Sequence, residues 1–330
     1  MRLGILGAGK IVNEILPVIK EIDGIEVLAI AARNEEKLKR LSKEYQIVKY
    51  YLSLDELIND DEIEVIYIGL PNNLHYEVMK KAIEKGKDII CEKPFTSNFK
   101  QTEEIINLAK EKEVIVLEAI SHRFIANAIK AKEMIKDLGD IKIVSLNYSQ
   151  YSSRYDDFKK DIIAPAFSKE FSGGALMDIN LYNISFVIDS FGLPQDVKYF
   201  ANIEKGIDTS GILILDYGNF KASLIGSKDS IAKTSNTIQG NKKTMQIPGS
   251  VSTFEKFEII NTDGSKENFD FNLKNKHRLY YEFVKFKEII DKRDIKEANQ
   301  LLELTRNYME VLTKARYFAK IYYPDDKIAE

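Results

Sequence analysis

Between residues 1 and 120 the chain alternates short apolar runs with stretches of helical period, and no other feature narrows its fold so far. The apolar runs cover residues 2–6, 27–31, 65–70, 88–91 and 114–118. Amphipathic segments lie between them, such as 35–45 and 76–85, the second closed by the helix-stopping Gly86. Such alternation specifies right-handed βαβ units and a parallel sheet covered by helices on both faces. A further helix is expected over 125–138, ending at Gly139.

After that helix the rhythm changes to period two, as in Ile141, Ile143, Val197, Tyr199 and Ala201. Runs 212–217 and 220–225 flank Gly218-Asn219, a pair suited to a tight hairpin. Further strands are expected over 233–238, 244–247 and 254–260, giving an open, mostly antiparallel sheet of six or more strands. Helices over 276–291 and 295–321 cover part of the fold, and the face they leave is expected to join a second copy in a homodimer or higher oligomer. The expected fold is therefore α/β, with a doubly wound parallel domain at 1–122 and an α+β domain at 123–330.

Composition excludes several classes. Of 330 residues, 44% are apolar and 30% charged, with a net charge of −3, so neither disorder nor nucleic-acid binding is expected. The start Met1-Arg2-Leu3-Gly4 shows no apolar signal segment, and no run approaches the roughly 20 apolar residues that cross a bilayer. A cytoplasmic protein without membrane or nucleic-acid partners is the expectation. The single cysteine, Cys91, ends an apolar strand and reads as a core residue. With one cysteine and three scattered histidines, no metal site is expected.

Two segments carry chemistry. In Gly4-Ile5-Leu6-Gly7-Ala8-Gly9-Lys10-Ile11 a strand enters a glycine turn. Gly7 and Gly9 allow a pyrophosphate to approach the backbone, and the helix starting at Lys10 and Ile11 points free N–H groups at it. Val12 stands where a third small residue usually lies, which should push the helix away from the strand. The second strand ends Ala31-Ala32-Arg33-Asn34, with no acid to clasp the ribose hydroxyls of NAD. Arg33 can pair with a ribose phosphate, so NADP(H) is favoured over NAD(H). In the second segment, Asp88-Ile89-Ile90-Cys91-Glu92-Lys93-Pro94, a strand delivers a carboxylate and an ammonium and is stopped by proline. By itself the pair of Glu92 and Lys93 reads sooner as an ordinary exposed ion pair after a strand.

With GILGAGKI at 4–11, PNNLHYE at 71–77, CEKP at 91–94, EAISHRF at 118–124 and GGALMDINLYN at 173–183 in this order, the chain resembles the glucose-fructose oxidoreductase and inositol dehydrogenase family (Gfo/Idh/MocA) along its whole length. The resemblance implies an N-terminal Rossmann domain, a C-terminal domain on an open sheet, and a hydride transfer between NAD(P) and a carbinol carbon of a sugar, polyol or cyclic diol. It places Pro71, Asn72, His75, Glu92 and Lys93 at the cofactor, with His75 capping the next helix, and Lys93 next to nicotinamide and substrate. Asp178 and Tyr182, four apart on one helix face, form an Asp-x-x-x-Tyr motif similar to the branch with dihydrodiol and xylose dehydrogenases. Tyr182 is then the acid-base group, Lys93 lowers its pKa and polarises the substrate oxygen, and Asp178 positions hydroxyls. Asn180 replaces a usual glycine of the family, and Arg123 and Asn183 are expected at the substrate cleft, Arg123 alternatively as a structural residue. Two other uses of the scaffold stay open: a hydrolase or lyase that oxidises transiently, and a nucleotide-sensing binding protein without catalysis.

Overall fold

The computed structural model describes residues 1–233 and 235–326. Its chain forms two compact units, one of Met1–Thr96, Lys100–Ala119 and His277–Thr305, the other of Ser97–Phe99, Ile120–Lys276 and Arg306–Glu330. The segment His277–Thr305, expected in the second domain, thus packs with the first, because its helix lays Leu279, Phe283, Phe286 and Ile290 into that unit's core.

The first unit is built from β1 (Arg2–Leu6), α1 (Lys10–Ile19), β2 (Glu26–Ala31), α2 (Glu35–Tyr45), β3 (Lys49–Tyr51), α3 (Leu54–Ile58), β4 (Val65–Ile68), α4 (His75–Glu84), β5 (Asp88–Glu92), α5 (Phe99–Glu111) and β6 (Val116–Ala119). Its six strands run parallel in the order β3-β2-β1-β4-β5-β6. The order reverses between β1 and β4, and in open α/β sheets ligands bind beyond the strand ends at that point. β4 and β5 are buried at every residue, as strands covered on both faces must be. β3, with three residues on a half-exposed edge, carries no readable apolar run.

The second unit contains α6 (Ala126–Met134), continued as a 3-10 turn over Ile135–Leu138, then β7 (Ile141–Ser149), α7 (Tyr155–Lys159), α8 (Leu181–Phe191), β8 (Asp196–Glu204), β9 (Ile207–Asp216), β10 (Lys221–Ser227), β11 (Ser235–Gly240), β12 (Lys243–Pro248), β13 (Phe257–Asn261) and β14 (Lys266–Phe269). The tail helices are α9 (Arg278–Asp291), in the first unit, and α10 (Ile295–Phe318), which passes from the first to the second. Eight strands form one sheet in the order β14-β13-β12-β11-β7-β10-β9-β8, antiparallel except for the parallel pair β7 and β10. The expected hairpin is present, with Asp216 paired to Lys221 around Gly218-Asn219. Thr234, inside one expected strand, and residues 327–330 lie outside the described residues.

Leu146, Leu213, Leu224 and Tyr199 make the buried face of this sheet, and α8 with the turn before it packs on β7 and β10. That turn, Leu176–Asn180, is π-helical rather than α-helical. Asp208 on β9 fixes its start: one carboxylate oxygen accepts from the Leu176 backbone N–H at 2.7 Å and from the Tyr199 hydroxyl at 2.8 Å. Burial pushes the Asp208 carboxyl up to about 6.

Candidate active site

In the first unit the glycine turn sits at the β1 and β4 strand ends. Gly7 has φ +118°, and a Cβ there would overlap the Gly69 carbonyl, so only glycine fits. Its N–H donates to Ala31 O at 2.8 Å, and the Gly69 N–H donates to Leu6 O at 2.8 Å. Gly9 is the N-cap of α1, with no side-chain hydrogen bond on the cap and open space where a Cβ would point. Open space above uncapped helical N–H groups, those of Lys10 and Ile11 included, fits a dinucleotide pyrophosphate. The expectation that Val12 pushes its helix outward is corrected: Val12 is fully buried, and its Cγ2 lies 3.1 Å from where a Cβ on Gly69 would be. A missing side chain on the neighbouring strand end makes room for the branched one.

Arg33 is exposed just beyond β2, and its guanidinium makes no hydrogen bond or ion pair among the described residues. Asn34 caps α2 by accepting from the Lys37 N–H at 2.9 Å. Pro71 precedes a 3-10 turn at Asn72–Leu74. His75, expected to cap α4, does not: its buried ring stands 3.0 Å from both Leu70 O and Pro94 O, stapling the loop after β4 to the loop after β5. Burial holds its pKa below the ordinary imidazole value, against the opposing pull of these carbonyls.

Glu92 points into the unit, where it accepts a hydrogen bond from Tyr67 Oη at 2.6 Å, and burial pushes its carboxyl up. Lys93 follows half-buried, joined to Pro94 by a cis peptide. Cys91 is buried, and burial together with Glu118 and Glu92 drives its thiol well above its ordinary value, as befits a core residue. Sequence reasoning did not single out Glu282 on α9. It is buried with neither carboxylate oxygen hydrogen-bonded among the described residues, and burial, then nearby Glu92, pushes it far above the usual carboxylate range. Its signal was a glutamate among Leu279, Phe283 and Phe286 on an apolar helix stripe.

In the second unit, Asp178 lies in the π-helical turn and Tyr182 in the first turn of α8, so their four-residue spacing crosses a change of helix type. Tyr182 is buried with its ring 6.1 Å from that of Tyr148. The Asp178 side chain is 32% exposed and pairs with Lys228 Nζ at 2.8 Å. Lys228 escaped the sequence reading; a lysine and aspartate closing the alternating strand β10 were the only trace of it. Asn180 is buried against β10, donating to Leu224 O at 3.1 Å, and Gly226 leaves it the space, a Cβ there falling 2.6 Å from that of Asn180.

Two residues expected at the substrate are bonded within this unit. Arg123 donates through Nε to Asp189 at 2.8 Å and stacks 5.5 Å from the Tyr308 ring, so its contacts support the structural of its two roles. Asn183 is buried and donates to Asn180 Oδ1 at 2.9 Å and Ile225 O at 3.1 Å. Neighbouring His122 is fully buried, and burial, Lys132 and Arg123 hold it neutral.

No group of metal-ligating side chains occurs among the described residues, and no helix there is long and apolar enough to cross a membrane.

Residues 1–120 match the family described as "Oxidoreductase family, NAD-binding Rossmann fold" (GFO/IDH/MocA). Similar proteins include the scyllo-inositol 2-dehydrogenase (NADP(+)) IolU of Bacillus subtilis, 32% identical with 99% of both chains covered. A trans-1,2-dihydrobenzene-1,2-diol dehydrogenase of Xenopus tropicalis is 34% identical over 81% of this chain and 80% of its own. KijD10, a 3-ketoreductase of Actinomadura kijaniata solved with TDP-benzene and NADP, superposes with a TM-score of 0.82 over 96% of this chain and 97% of its own at 19% identity, a likeness of fold. The glycine turn at the strand-order reversal and the full-length relatives together make this chain a member of the GFO/IDH/MocA family, NAD(P)-dependent dehydrogenases acting on CH–OH groups of sugar and diol substrates.

Proposed function

We propose that the chain oxidises a ring carbinol of a polyhydroxylated substrate, a sugar, polyol or cyclic diol, or reduces the corresponding ketone, with NADP(H) favoured over NAD(H). The observation that carries this reading is the Asp178–Lys228 pair at 2.8 Å, in the turn that leads into Tyr182. A carboxylate fixed by a buried cation is a rigid acceptor for a substrate hydroxyl. The cofactor, when bound, takes or returns the hydride of the carbinol carbon.

The remaining work falls to side chains. Tyr182 takes the hydroxyl proton as the carbon–oxygen double bond forms, and gives it back in reduction. Lys93 stabilises the alkoxide charge that develops on the same oxygen, and Asp178 holds a neighbouring hydroxyl. Gly7, Gly9, Lys10 and Ile11 receive the pyrophosphate, and Pro71 and Asn72 line the cofactor. The contacts of His75 and Glu92 support a part in holding the loops around Lys93. Arg33 takes the 2′-phosphate, a choice that the NADP(+) named for the inositol and xylose dehydrogenase relatives supports.

Self-association through the second sheet belongs to the same reading. Phe200, Ile212 and Ile225 stand in register on β8, β9 and β10, with Phe200 and Ile212 exposed. A monomeric mass in light scattering at micromolar concentration overturns that part.

The test is fluorescence titration with NADPH and NADH, then scyllo-inositol, D-xylose and a trans-dihydrodiol offered with NADP⁺ while absorbance of the reduced cofactor is followed. Tighter NADPH binding and turnover of at least one compound are expected. Tight binding without net redox change would favour the hydrolase or sensor use of the scaffold.

A further inference from the structure

Lys228, whose pairing with Asp178 supports the proposed function, is itself a buried cation of the second unit. Its side chain is 3% exposed. Around the ammonium stand Ala166 O, to which it donates at 2.6 Å, the Asp178 carboxylate at 2.8 Å, and the face of the Phe167 ring, 4.2 Å from its centroid. The backbone of Lys228 is held as tightly, its N–H donating to Thr209 O at 2.8 Å and its carbonyl accepting from the Ser152 N–H at 2.9 Å. The ammonium therefore joins three separate pieces of chain: the strand end after β10, the 3-10 turn Pro165–Phe167, and the π-helical turn that carries Asp178.

Burying an ammonium is unfavourable unless it is paired and hydrogen-bonded, and this one is both. Its partner is asymmetric, however. Asp178 keeps a third of its side chain exposed while Lys228 has almost none. Here the cation is sunk in the fold and the carboxylate is presented at its surface. An arginine or lysine behind a carboxylate fixes the acceptor's direction before any ligand arrives, which saves the ordering entropy of that side chain on binding.

We propose that Lys228 is a positioning residue for substrate binding, pinning Asp178 so that its carboxylate accepts from a hydroxyl beside the reacting carbinol of a neutral polyol or diol. The inference rests on the role given to Asp178 above. The lysine makes no contact with the reacting atoms; it acts only through the aspartate. The cation also neutralises the carboxylate locally, so an uncharged hydroxylated ring is matched in charge, and a substrate bearing its own carboxylate next to the reacting carbon is not.

The experiment is a double-mutant cycle with Lys228→Met and Asp178→Asn, using NADP⁺ and whichever of scyllo-inositol, D-xylose or the trans-dihydrodiol has the highest kcat/KM. Methionine keeps the aliphatic stem against Phe167. Lys228→Gln, which retains a donor for Ala166 O, serves if the methionine variant does not fold, and NADPH affinity reports intact folding. Each single variant is expected to raise KM by about tenfold or more with little change in kcat, the loss of an interaction made alike in ground and transition states. The double variant is expected to be no worse than Asp178→Asn alone. Unchanged KM in Lys228→Met, or losses that multiply in the double variant, would overturn the inference while leaving Asp178 in place. An Asp178→Asn enzyme with unaltered kcat and KM would instead remove the role of Asp178, and this inference with it, as would absence of turnover with all three compounds.

Discussion

Val12 and Gly69 are complementary in volume: the Val12 Cγ2 methyl lies 3.1 Å, and the Tyr67 Cε1 atom 3.0 Å, from where a Cβ on Gly69 would be. Both contacts are tighter than most in packed interiors and oblige a neighbour to shift, so Gly69→Ala is expected to destabilise the protein by about 1–3 kcal/mol through overpacking. Val12→Ala in the same chain should recover part of that loss. Urea unfolding midpoints of the two single variants and the double one check this, and additive losses would show that the two sites do not share the space.

Removing chemistry should leave the fold intact. Lys93→Ala and Tyr182→Phe are each expected to lower kcat about a hundredfold or more, since proton transfer by a placed side chain contributes on that order. NADPH affinity should stay near that of the parent. Full turnover in Tyr182→Phe would take the proton-transfer role away from the phenol.

Arg33 offers an exposed guanidinium where no acid stands at the end of β2. Arg33→Asp is expected to invert the ratio of NADPH to NADH dissociation constants, because a carboxylate repels a 2′-phosphate and accepts from a 2′-hydroxyl. Unaltered preference would place the discrimination elsewhere.

Arg123 and Asp189 form an ion pair whose side chains are 2% and 0% exposed. Losing the arginine strands a buried carboxylate, so Arg123→Met should cost about 3–5 kcal/mol of stability. Thermal unfolding reads this directly. A stable variant with a raised KM would return Arg123 to the substrate.

Glu282 gives a pH dependence of definite sign. Its folded-state pKa is raised far above 4.5, so the folded form holds a proton that the unfolded chain has already released. The contribution is favourable below the unfolded value and is lost as pH rises through the folded one. Glu282→Met should therefore raise stability at neutral pH by about 1–3 kcal/mol, the penalty of a buried group without a hydrogen bond. It should also flatten the decline in unfolding free energy as pH rises above the ordinary carboxylate value. An equally steep decline in the variant would assign the effect to another group.

Much of the fold was readable because period and punctuation agreed. Helix α2 was expected over 35–45 and lies at Glu35–Tyr45, its limits set by Asn34 as cap and Gln46 in the left-handed region. Strands β3 and β14 were missed for physical reasons: one is three residues long, and the other, Lys266–Phe269, is an edge strand of exposed polar residues. Lys228 and Glu282 show what local pattern cannot carry. Their meaning comes from groups 50 residues before the one, Asp178, and 190 before the other, Glu92, as positions in the chain. The two glycine departures, Val12 and Asn180, looked like defects of a motif. Each is matched by a glycine across the contact, Gly69 and Gly226, which only the folded chain brings opposite.

The π-helical turn at Leu176–Asn180 gives the helix a phase shift at a place where phase matters. Each residue in an α-helix advances the side-chain direction by about 100°. Deleting a single residue between Asp178 and Tyr182 would let the turn relax to regular α-helix. Such a deletion would swing Asp178 about a quarter turn or more away from Lys228 while Tyr182 kept its seat in α8. The extra residue thus behaves as an insertion that cannot be undone one step at a time. Any lineage that lost it would have to rebuild its hydroxyl acceptor from another position, whereas substitutions at the neighbouring positions leave the register untouched.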